Sequence, residues 1–208
     1  MILCWSAKGG SGTTVVACSL ALAAAQNGPT TLVDLVGDCA TALGLAEPSG
    51  PGVTDWLASP TAGADDLHDL AVPIRDDATL IPQGKGEPLD DRWARLADAL
   101  QGHGHVIVDA GLGPPRPELR SAASHSLLVV RPCYLALRRA QQLMVRPTGV
   151  VLVTEPGRAL TSTDIEGALG VGVVAEVHYD PAVARAVDAG LLAARMPRSL
   201  LLSLRNAA

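Results

Sequence analysis

The chain has 208 residues, of which 48% are hydrophobic, and a formal net charge of −5. This length suffices to bury a substantial core, and we expect one domain over residues 1–208. The acidic balance argues against a dedicated nucleic-acid binder, which needs concentrated Lys and Arg, and three Trp, two Tyr and no Phe give little material for base stacking.

Short apolar runs alternate along the chain with longer Ala- and Leu-rich runs. The predicted elements, in chain order, are strand Met1–Ser6, helix Thr13–Asn27, strands Thr30–Asp34 and Thr79–Pro82, helix Asp90–Gln101, strands His105–Asp109 and Ser126–Arg131, helix Leu135–Val145, strand Gly149–Thr154, helix Ser162–Leu169, strand Val171–Glu176 and helix Pro181–Ala189. This alternation indicates an α/β fold: a three-layer, doubly wound, mostly parallel sheet with helices on both faces.

A glycine-rich turn joins the first predicted strand to the first predicted helix. Backbone N–H groups in such a turn, together with the positive end of the helix, favour bound phosphate. The alternative is a glycine-rich turn that holds no ligand, and the dinucleotide fingerprint fits less well because Val15 stands where its third glycine should be. The candidate nucleotide-binding residues of the turn are Lys8, Gly9, Gly10, Ser11, Gly12, Thr13, Thr14 and Val15.

The segment from Ser6 to Val16 resembles the deviant phosphate loop of the ParA/MinD ATPase family, in which a signature lysine precedes the glycines. The resemblance implies ATP and Mg²⁺ as ligands and a nucleotide-sandwich homodimer. Lys8 then has the catalytic role of reaching the partner's phosphates, and the Thr14 hydroxyl is a magnesium ligand. Within the family, the loop looks most like that of the pilus-localising TadZ/CpaE branch.

Two positions depart from the family pattern. Thr13 replaces the second lysine of the loop, and Val36 replaces the second carboxylate of an Asp-x-Asp pattern that follows the second strand. Asp34 remains to hold magnesium through water, and Asp38 is a catalytic candidate that would have to compensate for Val36. Phosphoryl transfer depends on positioning and charge stabilisation, so we expect slow or absent hydrolysis.

Two further carboxylates follow from the same resemblance. Asp109 ends an apolar strand, as in a Walker B motif, and would support the magnesium shell, although an Asp at a strand end can also cap a turn. Gly111–Arg116 would then be the switch II loop. Asp180 follows a late strand and is the candidate contact to adenine, and Thr154 stands where relatives often read the base with Asn.

The second half of the chain is the more basic one, with eleven basic and eight acidic residues in 105–208. Its arginines are candidates for non-specific DNA binding, although we favour a solvated helix surface. We do not expect the leucine-rich tail Arg198–Arg205 to bind a membrane, since it lacks aromatics and a dense basic face, and we expect it to pack on the body or in a dimer. The absence of a secretory leader favours the cytoplasm.

The sequence thus leads to three hypotheses. The first is a Mg·ATP-binding, dimer-forming positioning protein with weak or no turnover and an unknown protein partner or cargo. The second is a slow but competent ATPase that segregates DNA or another cargo, and the third is an interaction scaffold that keeps the fold without binding nucleotide.

Overall fold

A computed structural model describes residues 1–102, 104–204 and 207 of the chain. The strands are β1 Ile2–Ser6, β2 Thr30–Asp34, β3 Val72–Arg75, β4 Ala78–Ile81, β5 His105–Leu112, β6 His125–Val130, β7 Gly149–Thr154 and β8 Val173–His178. The helices are α1 Thr13–Ala24, α2 Cys39–Leu43, α3 Val53–Ala58, α4 Ala64–His68, α5 Arg92–Ala99, α6 Pro117–Ala122, α7 Tyr134–Gln142, α8 Ser162–Leu169, α9 Pro181–Asp188 and α10 Arg198–Leu204.

The strands form a single eight-stranded sheet in the order β3-β4-β2-β5-β1-β6-β7-β8. Strand β3 runs antiparallel to β4, whereas the other neighbouring pairs in the described part of the chain are parallel. Parallel strands need crossover connections, which the helices supply on both faces. The predicted fold class is confirmed.

Alternate residues of each central strand point to opposite faces of the sheet. In β1, Ile2 and Cys4 belong to a core shared with α1, α2 and α10. Leu3 belongs to a second core, shared with α3, α5 and α6, and Trp5 packs with α7. Because both faces are covered, the central strands are buried along nearly their whole length, which explains their continuous apolar runs.

Helix α1 lies at the centre of one helical layer, packed on the sheet and flanked by α2 and α10. Its Ala- and Leu-rich sequence is apolar on nearly every side, as expected for a helix covered on two faces. Leu200 and Leu204 of α10 are 2% and 0% exposed and pack on the body, as one of the two sequence-based expectations proposed, whereas Leu202 is 58% exposed. Arg205, at the end of that predicted segment, lies outside the described residues.

None of the helices in the described ranges is both long and apolar enough to cross a bilayer.

The sheet order has a direct consequence for the candidate site. Strand β1 lies between β5 and β6, and β2 lies next to β5, so the carboxyl ends of these parallel strands meet at one edge. Ligands of open α/β sheets bind at such an edge.

Candidate functional site

The glycine turn between β1 and α1 presents unpaired backbone amides at this edge. Gly10 and Gly12 have φ values of 75° and 89°, in the left-handed region that glycine adopts without strain. The Ser11 hydroxyl donates to the Lys8 carbonyl at 2.7 Å and fixes the turn. Val16 is the first amide of α1 to find a carbonyl in the preceding turn, that of Gly12, so the amides before it remain available to a ligand.

The space above the turn is open. A Cβ atom built on Gly9, Gly10 or Gly12 would meet no heavy atom within 4 Å. An open turn of backbone amides at the positive end of a twelve-residue helix is suited to an anion. The sequence-predicted loop is therefore in a conformation that could hold phosphate, and its role in nucleotide binding stays a prediction.

The two loop positions at which the resemblance leads one to expect lysine, Lys8 and Thr13, differ in charge and environment. The Lys8 ammonium donates to the Gly9 carbonyl at 3.3 Å, within its own turn, and its side chain is partly exposed. Thr13, where the resemblance leads one to expect a second lysine, is 8% exposed and uncharged. The chain thus has one ammonium beside the turn, and it lies at the surface.

Two buried carboxylates lie side by side below the turn. Asp34 ends β2 and is paired in register with Asp109 of β5. Asp34 Oδ1 accepts hydrogen bonds from the amides of Val36, at 2.9 Å, and Gly37, at 2.7 Å, and its Oδ2 accepts from the Cys39 amide at 2.9 Å. The loop after β2 is thereby wrapped around the Asp34 carboxylate.

Asp109 is fully buried and accepts a hydrogen bond from the Gly111 amide at 3.1 Å. Burial raises the pKa of Asp109 to about 6, against hydrogen bonds from Thr14 and Gly111 that lower it, and the neighbouring Asp34 raises it further. A buried carboxyl with a raised pKa next to a second carboxyl is typical of a site that accepts a cation.

Most of the atoms that could bind a metal ion beside the Asp34–Asp109 pair are oxygens. The hydroxyl of Thr14 interacts with Asp109, and ligand atoms of Asp34, Cys39 and Asp109 all lie within 4.8 Å of one another. Carboxylate and hydroxyl oxygens fit Mg²⁺. The Cys39 thiol does not, because its hydrogen bond with Cys18 and its burial raise its pKa, and the neutral thiol donates to Asp109 Oδ2 at 3.7 Å.

The catalytic candidate Asp38 lies apart from this pair. It is exposed at the N-cap of α2 and its side chain makes no capping hydrogen bond. Val36 occupies the inner position of the same loop, against Gly111, where an added Cβ would collide with its Cγ1. The loop therefore directs an apolar side chain, and not a carboxylate, towards the end of β5.

A small apolar cavity of about 180 Å³ extends from the turn towards β8 and α9. Asp180 lines it, caps α9 by accepting from the Ala182 amide at 2.8 Å, and accepts from the Ser199 hydroxyl at 3.1 Å. The cavity is smaller than the roughly 300 Å³ of a typical ligand pocket, so it would take one ring of a ligand. The lining includes Gly12, Val15, Val16, Val153, Val177, Tyr179 and Val183.

The architecture resembles that of solved ATPase structures. A ParA family ATPase from Chlorobium tepidum has a TM-score of 0.74 at 20% identity over 99% of this chain and 97% of its own. The MinD cell division protein of Aquifex aeolicus has a TM-score of 0.78 at 18% identity, and the septum site-determining protein MinD of Pyrococcus horikoshii, in complex with Mg-ADP, has 0.74 at 18%. Each of these two alignments covers 99% of this chain and 93% of the other.

The chain has the ParA/MinD-type fold. No protein-family model and no curated protein matches the sequence. Since the similarity spans almost the whole of both chains, the sheet order and the strand-to-helix turn after β1 belong to one common architecture. The narrower resemblance to the TadZ/CpaE branch stays a prediction.

In this ParA/MinD-type fold, the predicted site residues fall into three groups. The turn, Thr14, Asp34 and Asp109 come together at the ends of β1, β2 and β5. Asp180 lies on the far wall of the apolar cavity that begins at Gly12. Asp38 is exposed at the N-cap of α2.

Several features of the site have no counterpart in the sequence-based prediction. Arg131 lines the apolar cavity, and Thr154 Oγ1 lies 2.7 Å from His178 Nδ1 at its rim. A polar cavity of about 560 Å³, between Asp34, Asp55 and Lys85, opens on the other side of the carboxylate pair. Part of its wall is the Gly- and Pro-rich segment Glu47–Gly52, whose composition predicts a loop just beyond a strand end, where α/β proteins bind ligands.

Proposed function

We propose that the chain binds Mg·ATP at the turn Lys8–Val15, forms a nucleotide-dependent homodimer and acts as a positioning or partitioning protein with weak or absent ATP hydrolysis. The observation that carries the proposal is the open amide-lined turn next to the buried Asp34–Asp109 pair. The named neighbours include a septum site-determining protein and a ParA family ATPase, which supports a role of this kind.

Binding without the second lysine rests on the remaining donors. The free amides of the turn and the helix dipole supply partial positive charge to phosphate, and Mg²⁺ would be held by Thr14, Asp34 and Asp109. When bound, Mg²⁺ supplies the positive charge that offsets the triphosphate. The P. horikoshii MinD structure, in complex with Mg-ADP, has the same fold and supports this choice of ligand.

Weak hydrolysis follows from what the site lacks. Thr13 provides no cation to stabilise the charge that develops on the phosphates, and Val36 provides no carboxylate to orient the attacking water. Each such loss costs orders of magnitude in rate, because positioning and electrostatics supply nearly all of the catalysis of phosphoryl transfer. Asp38, exposed on α2, is a poor substitute for a buried water-orienting group.

Dimerisation is supported by the groups at the surface around the turn. The Lys8 side chain is partly exposed beside a ligand site that faces outward. Leu112, within the predicted switch II loop, is 65% exposed. A second copy placed over the nucleotide would cover this leucine and bring a second Lys8 to the phosphates.

Light scattering with ADP, ATP and a slowly hydrolysed ATP analogue, each with Mg²⁺, tests binding and dimerisation together. We expect the mass to rise from 21.3 kDa towards twice that value with ATP and the analogue and to stay monomeric with ADP. Lys8→Ala should abolish the rise, and Arg95→Ala, an exposed charge on α5, should not. A monomer under all conditions contradicts the proposed dimer, and Lys8-dependent release of phosphate at an ordinary ATPase rate contradicts weak turnover.

A further inference from the structure

Arg131 lies at the same sheet edge as the glycine turn. It directly follows β6, which is parallel to β1 with Trp5 paired to Leu128, so the two strands end together. Arg131 and Gly12 line the same 180 Å³ cavity. A nucleotide with its phosphates on the turn and its base in the cavity would therefore pass this side chain.

The cavity has one positive side chain. Among its described lining residues, Arg131 is the only Lys or Arg, while Asp180 and Asp188 add negative charge. The turn itself contributes no cation on this side, since Thr13 is neutral and the Lys8 ammonium contacts the carbonyl of Gly9 at the surface. An anionic ligand at this site thus depends on Arg131 for a charged contact from within its own subunit.

The hydrogen-bonding capacity of Arg131 is only partly used. Its Nη1 pairs with Glu155 Oε1 at 2.9 Å, whereas its buried Nε has no hydrogen-bond partner within the part of the chain that the structure describes. An arginine offers five donors in a planar fork, and a buried donor without a partner costs free energy. If the side chain turned into the cavity, a phosphate or ribose oxygen would provide the missing acceptor.

The ion pair does not confine Arg131 to Glu155. Arg158 also holds this carboxylate, with its Nε 2.8 Å from Glu155 Oε2. If Arg131 turned towards a ligand, Glu155 would keep a charged partner and would not be left unpaired. The side chain of Arg131 is 36% exposed, which leaves room for such a movement.

We propose that Arg131 is a nucleotide-binding residue, which contacts the phosphates in cis and supplies the positive charge that Thr13 does not. This inference rests on the proposed function, since it assigns a role within the same nucleotide site. The planar fork is suited to bidentate contact with phosphate oxygens, which lysine cannot reproduce.

The test compares Arg131→Ala with Arg158→Ala, which removes the other arginine of the same cluster but does not line the cavity. Isothermal titration with Mg·ADP gives the affinity, and displacement by adenosine gives the affinity for a ligand without phosphate. We expect Arg131→Ala to weaken ADP binding about tenfold to a hundredfold, as for a charged hydrogen bond, and to leave adenosine binding unchanged. Arg158→Ala removes the arginine that would hold Glu155 when Arg131 turns to the ligand, so it should weaken ADP binding by less than Arg131→Ala does, and Arg131→Lys should recover part of the loss.

Arg131→Gln, which keeps a donor for Glu155 but no charge, replaces the alanine variant if the latter does not fold. An ADP affinity that is unchanged in Arg131→Ala or Arg131→Gln overturns the inference while nucleotide binding by the wild type stands. Equal losses in Arg131→Ala and Arg158→Ala also overturn it, because they indicate a purely structural cluster. If the wild-type chain binds neither ADP nor ATP, the proposed function itself fails, and the inference fails with it.

Discussion

Asp109→Asn tests whether the buried carboxylate pair is maintained at the expense of the stability of the fold. Asp109 is fully buried next to Asp34, and its pKa is raised from 3.8 to about 6. An acid whose pKa is higher in the folded than in the unfolded state binds more protons when folded. Stability therefore falls as the pH rises through the window from about 4 to about 6, and it stays at its lower value above that window.

The magnitude follows from the shift. A rise of about two pH units at about 1.4 kcal/mol per unit lowers the free energy of unfolding by about 3 kcal/mol at pH 7.5. At pH 4.5 most of the folded protein carries the proton on Asp109, and the raised pKa lowers the free energy of unfolding by only about 1 kcal/mol. An asparagine removes the charge at both pH values, while its amide disturbs the hydrogen bonds with Thr14 and Cys39 at a cost of about 1 kcal/mol. The net stabilisation at pH 7.5 is then about 2 kcal/mol.

Urea unfolding of both proteins at pH 7.5 and pH 4.5, with chelator to remove divalent cations, measures the effect. We expect Asp109→Asn to unfold at higher urea than the wild type at pH 7.5 and to lose most of that advantage at pH 4.5. The gap is the difference in free energy of unfolding between the variant and the wild type. It should shrink by about 2 kcal/mol from pH 7.5 to pH 4.5, and this change does not depend on the hydrogen-bond cost of the amide. Asp38→Asn, at an exposed carboxylate, is the control and should show no gap at either pH. A gap of equal size at both pH values would refute the reasoning.

Three further substitutions probe the turn. Gly12→Ala places an L residue at a φ of 89°, which should cost about 1–2 kcal/mol of stability and lower the Tm by about 2–8 °C in a calorimetric scan. The control is Gly9→Ala, whose φ is outside the left-handed region, and it should leave the Tm unchanged. Both add a methyl group to the open space of the turn and should weaken ADP binding, so retention of full affinity would contradict the site. Thr13→Lys should raise the affinity for ATP about tenfold, as measured by titration calorimetry. It should not restore turnover, since Val36 is unchanged. A large gain in phosphate release would show that Val36 does not limit hydrolysis.

Much of the fold could be predicted because buried parallel strands carry their own signal. The predicted bounds of β2 and β7 agree with the structure, and those of β4 and β8 differ from it by one or two residues. Strand β3 was missed because it is an antiparallel edge strand that contains Pro73 and has alternating exposed positions. The short helices α2, α3, α4 and α6 were missed as well, since five or six residues hold too little periodicity to be recognised.

The candidate site could be predicted only where its residues are local in sequence or follow strand ends. The turn is one continuous segment, and Asp34 and Asp109 converge because both end parallel strands. The contact between Thr154 and His178, the approach of Arg131 to the cavity and the amide bonds around Asp34 depend on how loops fold back in three dimensions. A single sequence carries no pattern for such contacts.

The two groups that this chain lacks relative to the family pattern are of opposite charge. Placing Thr13 where a lysine is expected removes one positive charge, and placing Val36 where an aspartate is expected removes one negative charge. The summed charge of these two positions is therefore unchanged, whereas the two groups that would stabilise the transition state and orient water are both lost. Binding that is equally strong in the ground state and the transition state needs only positive charge and the amides near the phosphates. Hydrolysis also needs groups that act at the transition state alone. A site changed in this paired way is suited to retain a nucleotide as a conformational ligand, with Lys8 and the proposed contact from Arg131 as its cations.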